Sequence, residues 1–250
     1  PNFLLNLINK IDSDPNIASV QPKIKNINNK QLFDYSGASG GFLDYLVYPF
    51  TRGRIFSTIE DDKGQYDQSC QIFWASGAAF LTRHTIFKEL NGFDENLFAH
   101  MEEIDYHWKC NLMGYSVWVE PTSLVYHYGG YTLKSDSPYK TFLNHRNSLI
   151  LLLSNYSIGL SLYLFLIRFP LEIISSIKEL LTFRIGHFFS HYLALFALII
   201  KIPLIISKRG IIKKIRKVSD WNLLEQKNIF NKSIVRLYYL CNKKKFIDLI

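Results

Sequence analysis

Three carboxylates, Glu102, Glu103 and Asp105, fall within four consecutive positions of this chain, and a histidine, His127, follows beside Gly129 and Gly130. Like charges this close destabilise one another unless something cationic sits among them, so the cluster reads as a site as well as a run of charge. A positioned carboxylate can take the proton of an attacking hydroxyl. A neutral imidazole at a strand end can bind a divalent ion, and two following glycines let the backbone turn tightly against a ligand. The plainer alternative stands beside this one. Acidic residues at a helix start complement its dipole and free N–H groups, and a lone histidine is more often a hydrogen-bonded structural group. Adjacent helical residues point about 100° apart, so Glu102 and Glu103 cannot share one pocket: one can face a substrate while the other fixes its neighbours.

Two further groups flank the cluster. Trp74, Ser76, Gly77 and Ala78 lie in SCQIFWASGAAFLTR, a predicted strand with a Gly-Ala kink where backbone can approach a ligand. Lys134, Lys140, His145 and Arg146 follow on a loop-to-helix segment next to Asn147. Lys and Arg suit phosphate oxygens at such a place, and they suit a solvated basic loop equally. Lys140 and Arg146 join Trp74, Ser76, Gly77 and Ala78 as the candidate substrate contacts.

The elements that must position these residues show in the apolar spacing. Phe3, Leu4, Leu7, Ile8 and Ile11 have helical periodicity, broken at Asp12 to Pro15. IASVQPKI, from Ile17 to Ile24, is a short strand closed by Pro22. Phe33 to Phe56 is rich in glycine and aromatics without a clean period, an ordered loop with a short hairpin or helix. A helix from Arg83 stops at Asn91-Gly92, a second runs from Glu102 to Met113 and is capped by Gly114, and strands follow at Tyr115–Glu120 and Leu124–His127. Alternating elements of this kind give an α/β layer architecture.

Composition changes near Asn147. Leu149 to Ile167 carries no charge over nineteen residues, the lower edge of a membrane-spanning length, although diluted by serines, Asn155 and Gly159. Ile185 to Ile206 is apolar but contains His187, His191 and Lys201, and KRGIIKKIRK follows at Lys208 to Lys217. Of 29 basic and 21 acidic residues, thirteen and three lie from Lys201 onward, leaving the first 200 residues at −2. Apolar helices followed by a polybasic run read as attachment to an anionic membrane surface; packed helices with a solvated basic face are the alternative. Basicity confined to the tail argues against a nucleic-acid binder. Cys70, Cys110 and Cys241 form no CxxC pair, so neither a disulfide framework nor a zinc site is expected. The final residues, Trp221 to Ile250, read as helical and carry no site. The expected domains are 1–147 and a helical, basic extension, 148–250.

From Ala75 to Gly130 the sequence ASGAAFLTRHTIFKELNGFDENLFAHMEEIDYHWKCNLMGYSVWVEPTSLVYHYGG resembles the C-terminal half of the catalytic domain of family 2 glycosyltransferases, in their rhamnosyltransferase-like bacterial branch. YPFTRGRIF and KTFLNHRNSL are similar to a subgroup of the same family, and the resemblance extends over most of Pro1 to about Tyr156. It implies the C-terminal part of a GT-A, Rossmann-like domain followed by a membrane-associating helical extension. It also implies inverting transfer from a nucleotide-diphosphate sugar to a glycan or lipid-linked acceptor, in surface polysaccharide synthesis at the cytoplasmic face of a bacterial inner membrane. The family's acidic pair falls on Glu102 and Glu103, with Glu103, where the family usually has Asp, as the base. Asp105 matches the third acidic position. His127 matches the family's later histidine and would complete the coordination of Mg²⁺ or Mn²⁺, which offsets the charge of the departing diphosphate. Lys109 replaces the family's arginine. The family's Asp-x-Asp metal motif and nucleotide-binding half would precede Pro1, so the expectation is a fragment with an incomplete donor site. Two other readings remain open. One is a metal-dependent hydrolase using the same carboxylates; the other is a catalytically silent, membrane-associated scaffold or lipid-binding module.

Overall fold

A computed structural model describes residues 3–128, 136–225 and 229–249. The described chain divides into two compact units, the first made of Pro1–Phe93, Glu103–Gly129 and Lys217–Ile250, the second of Asp94–Glu102 and Gly130–Arg216. A single cut at 147/148 therefore does not reproduce the division, because Lys217–Ile250 returns to the first unit and Asp94–Glu102 belongs to the second.

The first unit is organised by one strand. After helix α1 (Phe3–Asp12) comes strand β1 (Ile17–Asn26), whose first eight residues are all buried. A strand covered on both faces has apolar residues on each, here Ile17, Ala18, Val20 and Ile24. Its polar residues survive burial by pairing. Ser19 donates to Thr82 at 2.8 Å, Gln21 Nε2 donates to the Gly37 carbonyl at 3.1 Å, and Lys23 bridges to Asp62 at 3.1 Å. Pro22 does not end the strand as its sequence suggests. A register shift between Pro22 and Lys23 absorbs the missing N–H and pairing continues to Asn26.

Phe33 to Phe56 holds a meander: β2 (Gly41–Asp44), β3 (Pro49–Thr51) and β4 (Arg54–Ile55), followed by β5 (Thr58–Ile59). Then come β6 (Cys70–Ile72), β7 (Leu81–Thr82), α2 (His84–Glu89) and α3 (Glu102–Leu112). Helix α2 ends where expected, with Asn91 and Gly92 both at positive φ, 58° and 66°. Helix α3 is followed by Gly114 at φ 91°. The two strands expected after it run on as one, β8 (Ser116–His127), which pairs parallel with β1 on either side of a register shift between Glu120 and Leu124. Sheet order is β6-β8-β1-β7, with both outer strands antiparallel. Helices and strands thus mix in an α/β fold.

The C-terminal residues do more than the sequence reading allows them. After α4 to α7 of the second unit, the chain forms α8 (Asp220–Glu225), β9 (Ile229–Phe230) and α9 (Ile234–Tyr239). Strand β9 adds in parallel to β2 and completes the second sheet, β5-β4-β3-β2-β9. Ile234, Tyr238, Phe246 and Leu249 pack with Phe33, Phe50, Ile55 and Tyr66 in one cluster. Two buried carboxylates clamp this return: Asp44 accepts from the Ile234 N–H at 2.9 Å, and Glu60 from the Phe246 N–H at 3.0 Å.

The second unit is helical: α4 (Pro138–Asn155), α5 (Ile158–Leu181), α6 (Ile185–Ile200) and α7 (Ile202–Ile215). The apolar run Leu149–Ile167 is not one segment. Leu149 to Leu152 are wholly buried in α4, and Tyr156 and Ser157 separate α4 from α5. By length and composition α5 is the one described helix that could cross a membrane alone, and α6 with α7 could do so only as a pair bent by 68°. Leu162, Leu166, Ile174 and Leu181 on α5, and Leu193, Phe196 and Ile200 on α6, are each more than half exposed.

Candidate active site

Helix α3 carries the acidic cluster on its first turn. The segment leading into it is a single 3₁₀ turn, Glu95–Leu97, whose cap is the Asp94 carboxylate accepting from the Asn96 N–H at 3.0 Å. Phe98, His100 and Met101 then take positive φ values of 65°, 65° and 75°. Non-glycine residues there cost on the order of 1–3 kcal/mol each and persist only where the surroundings impose them. Asn147, fully buried in α4, supplies the restraint: its amide nitrogen lies 3.0 Å from the Leu97 carbonyl, 3.0 Å from that of Ala99 and 2.7 Å from that of His100. Arg146 adds a bond to the Leu97 carbonyl at 2.9 Å and donates to Asn147 Oδ1 at 2.9 Å.

Glu103 is half-buried, and a Cβ added at Gly77 would stand 3.9 Å from its carboxyl carbon. Gly77 itself is exposed, and Glu103 Oε2 is buried. One turn on, His107 Nδ1 bonds to the Glu103 carbonyl at 2.7 Å. His107 is fully buried, which lowers its pKa to about 3 although that hydrogen bond favours the charged form. It is a neutral, structural imidazole at neutral pH. Glu102 is also half-buried. Burial raises its pKa, and among the described residues its Oε2 has no hydrogen-bond partner.

The remaining sequence candidates separate. Asp105 has no exposure and is ion-paired to Lys109 Nζ at 2.7 Å one turn along α3. Its sequence reading as a catalytic group is corrected: it neutralises a buried lysine and has no surface for a substrate. Trp74 is corrected in the same way. It is 5% exposed, it lies over Gly41 and its indole N–H donates to the Phe42 carbonyl at 2.8 Å. Ser76 is buried too; its hydroxyl bonds to the Ser36 carbonyl and its N–H donates to Gln21 Oε1 at 2.7 Å. Gly77 and Ala78 are exposed. Lys140 is half-buried in the first turn of α4, its N–H on the capping Ser137 hydroxyl at 3.2 Å. Arg146 spends two of its donors on the bonds above and lies over the Phe142 ring. His145 points elsewhere, to Glu172. Gly129, Gly130 and Lys134 lie outside the described residues.

His127 ends β8 with its side chain about one-third exposed, and its Nδ1 lies 3.0 Å from Asp34 Oδ1. Asp34 is buried. A carboxylate behind one ring nitrogen fixes the tautomer and presents the other nitrogen to a ligand, so the donor set fits one position of a metal. Among the described residues, His127 is not part of any three-ligand cluster. Sequence reasoning missed Asp34, His107 and the role of Asn147. An asparagine adjoining the apolar run that opens at Leu149 must be buried and bonded, and that was the available signal.

No family model matches the chain. It is similar to N-acetylglucosaminyl-diphospho-decaprenol L-rhamnosyltransferase from two strains of Mycobacterium tuberculosis, 31% identical over 118 residues, which is 47% of this chain and 38% of each relative. Among solved structures it is similar to the crystal structure of GalNAc-T7 with UDP, GalNAc and Mn²⁺, at 17% identity and a TM-score of 0.46, covering 66% of this chain and 31% of that one.

Proposed function

We propose that this chain is part of an inverting glycosyltransferase that moves a sugar from a nucleotide-diphosphate donor to a glycan or lipid-linked acceptor. The observation that carries the reading is Glu103, held at the head of α3 behind a strained, pinned segment and bordered by the exposed backbone of Gly77. The similarity to a transferase whose name specifies a lipid-linked acceptor supports it.

In this reading the acceptor hydroxyl approaches past Gly77 and Glu103 takes its proton as the oxygen bonds to the anomeric carbon. The bond from that carbon to the diphosphate breaks on the opposite face, which inverts the configuration. Proton acceptance of this kind contributes roughly 10²–10⁴-fold. Glu102, with its costly buried charge, shapes the head of the helix. His127 would hold one position of a Mg²⁺ or Mn²⁺ ion, with Asp34 orienting it; such an ion, when bound, offsets charge on the leaving diphosphate. The chain spans 38% of the length of the curated relatives it matches.

The apolar faces of α5 and α6 and the exposed Lys213 and Lys214 of the basic run are assigned to an anionic membrane surface, where a lipid-linked acceptor would be found; Lys208 is buried against Asp94 and takes no part. At the cytoplasmic face of a bacterial inner membrane this would serve surface polysaccharide synthesis.

Glu103→Gln in the full-length protein tests the assignment. Transfer should fall at least 100-fold, with the circular-dichroism spectrum and vesicle binding unchanged. Transfer at the parental rate would remove Glu103 as base, and absence of transfer by the parent protein itself would favour the silent lipid-binding scaffold.

A further inference from the structure

Three helices of the second unit each bring one metal-capable side chain to a common point. His145 comes from α4, Glu172 from α5 and His191 from α6, and their ligand atoms all lie within 4.8 Å of one another. Glu172 has no exposure, His191 has 2% and the His145 side chain 20%. Both imidazoles direct Nδ1 at the same oxygen, Glu172 Oε2, at 2.6 Å from His145 and 2.9 Å from His191. The other carboxylate oxygen is taken: Arg168, one turn earlier on α5, donates to Oε1 at 2.7 Å.

Charge balance does not account for this grouping. Arg168, itself buried, already offsets the Glu172 charge, so neither imidazole is needed to neutralise it. Hydrogen bonding accounts for half of it. His191 Nδ1 bonds to Oε2, whereas His145 Nδ1 is buried at 2.6 Å from that oxygen without the alignment of a hydrogen bond. Two nitrogens and an oxygen, brought by three helices, converge on one point, which is the arrangement of a ligand set.

We propose that His145 Nδ1, His191 Nδ1 and Glu172 Oε2 bind a divalent cation of the zinc type, which fastens α4, α5 and α6 together. Two imidazoles and one carboxylate suit zinc, with a fourth position for water. Metal–ligand bonds of about 2.0–2.1 Å put neighbouring ligand atoms roughly 3.3 Å apart in a tetrahedron, so binding lengthens the two N···O separations, now 2.6 and 2.9 Å. Arg168 and Ser175 form the outer layer. Arg168 fixes the carboxylate, and the Ser175 hydroxyl stands 3.4 Å from His191 Nε2, the sort of support that orients a ligating ring. The site shares no residue with the proposed transfer chemistry and stands or falls independently of it.

Cobalt tests it directly. The full chain, purified in detergent and stripped with chelator, is titrated with Co²⁺ and then Zn²⁺. The expected result is one equivalent of Co²⁺ with the visible absorption of a tetrahedral nitrogen–oxygen site, displaced by one equivalent of Zn²⁺. The double variant His145→Ala/His191→Ala should weaken binding at least 100-fold, whereas His127→Ala should leave the signal in place. No stoichiometric cobalt spectrum in the parent protein overturns the proposal whatever the variants do. So does a spectrum that survives the double substitution or vanishes in His127→Ala. A parent protein whose melting temperature rises with Zn²⁺, and a double variant whose melting temperature does not, gives a second readout independent of colour.

Discussion

Replacing Asn147 with leucine should loosen the head of α3 without unfolding the helical unit. The side chain is similar in size, so the volume is kept while the amide donors go, together with the Oδ1 that accepts from Arg146. Three carbonyls share the Asn147 amide, those of Leu97, Ala99 and His100. Leu97 retains the Arg146 guanidinium at 2.9 Å; Ala99 and His100 lose this donor. A buried polar group left unsatisfied costs about 1–3 kcal/mol; Ala99 and His100 are half-buried and open to water, so about 2–6 kcal/mol is the upper range for the closed segment. The segment has an escape, because Phe98, His100 and Met101 each release roughly 1–3 kcal/mol of backbone strain on relaxing. The variant should therefore open locally. An opening easier by about 2 kcal/mol speeds amide exchange roughly 30-fold, at 1.36 kcal/mol per factor of ten. Hydrogen exchange followed by mass spectrometry on a peptide spanning 95–104 reads this, with peptides of α5 and α6 as internal controls. Transfer by the full-length protein should fall at least tenfold, since Glu103 follows two residues after Met101. Unchanged exchange in that peptide, together with unchanged turnover, would refute the idea that Asn147 imposes the strained conformation.

Three other outcomes follow from the packing and the charges. Gly41→Ala should destabilise the first unit by at least ~1–3 kcal/mol in denaturant unfolding, because its Cβ would fall 2.2 Å from the Trp74 ring, a buried indole that has nowhere to move. Burial alone would push the Asp94 carboxyl up, but Lys208 at 2.5 Å and the Asn96 bonds outweigh it and hold the pKa at about 2, below the ordinary 3.8. The group therefore contributes stability above pH ~4 that is lost as pH falls towards 2, about 2 kcal/mol at most; thermal melts of Lys208→Met should show a smaller loss over that interval than the parent. Leu166 and Phe196 are 72% and 60% exposed, so Leu166→Ser/Phe196→Ser should leave the melting temperature within a few degrees while reducing co-sedimentation with anionic vesicles several-fold. Equal sedimentation would show that these faces do not meet lipid.

Local chemistry was legible in the sequence wherever one residue type decides the outcome. Asn91-Gly92 and Gly114 end their helices because the chain there needs a left-handed residue, and the acidic cluster does sit on the first turn of a helix. Long-range pairing was not legible. Pro22 signals a strand end, yet β1 continues because β8 offers a parallel partner that accepts a register shift. The break expected between Glu120 and Leu124 is that same register shift, since Pro22 pairs with Glu120 and Lys23 with Leu124, although the strand runs on through it. Trp221 to Ile250 carries no chemical motif, and its place beside β2 depends on Asp44 and Glu60, some 190 residues away in the chain. Trp74, Ser76 and Asp105 show the converse error. Their types suit a site, but whether a polar atom faces a substrate or a neighbouring carbonyl is set by packing, which spacing along the chain does not carry.

The adjacent carboxylates of α3 raise a question that helix electrostatics alone answers wrongly. Two acidic residues in a first turn gain roughly 0.3–1 kcal/mol each from the dipole at an exposed site, which would lower both pKa values. Glu102 is shifted the other way, because burial withdraws water from its carboxylate and leaves Oε2 without a hydrogen bond among the described residues. Desolvation therefore exceeds the dipole at this position. A group that keeps its proton longer repels a neighbouring charge less, so the pair can hold one negative charge at lower cost than two. Oε2 of Glu103 is as buried as that of Glu102, so what separates the two carboxylates is the exposed backbone of Gly77 beside Glu103. Glu102→Gln should then preserve most of the transfer that Glu103→Gln removes, and an equal loss in both variants would show that the two carboxylates work as one.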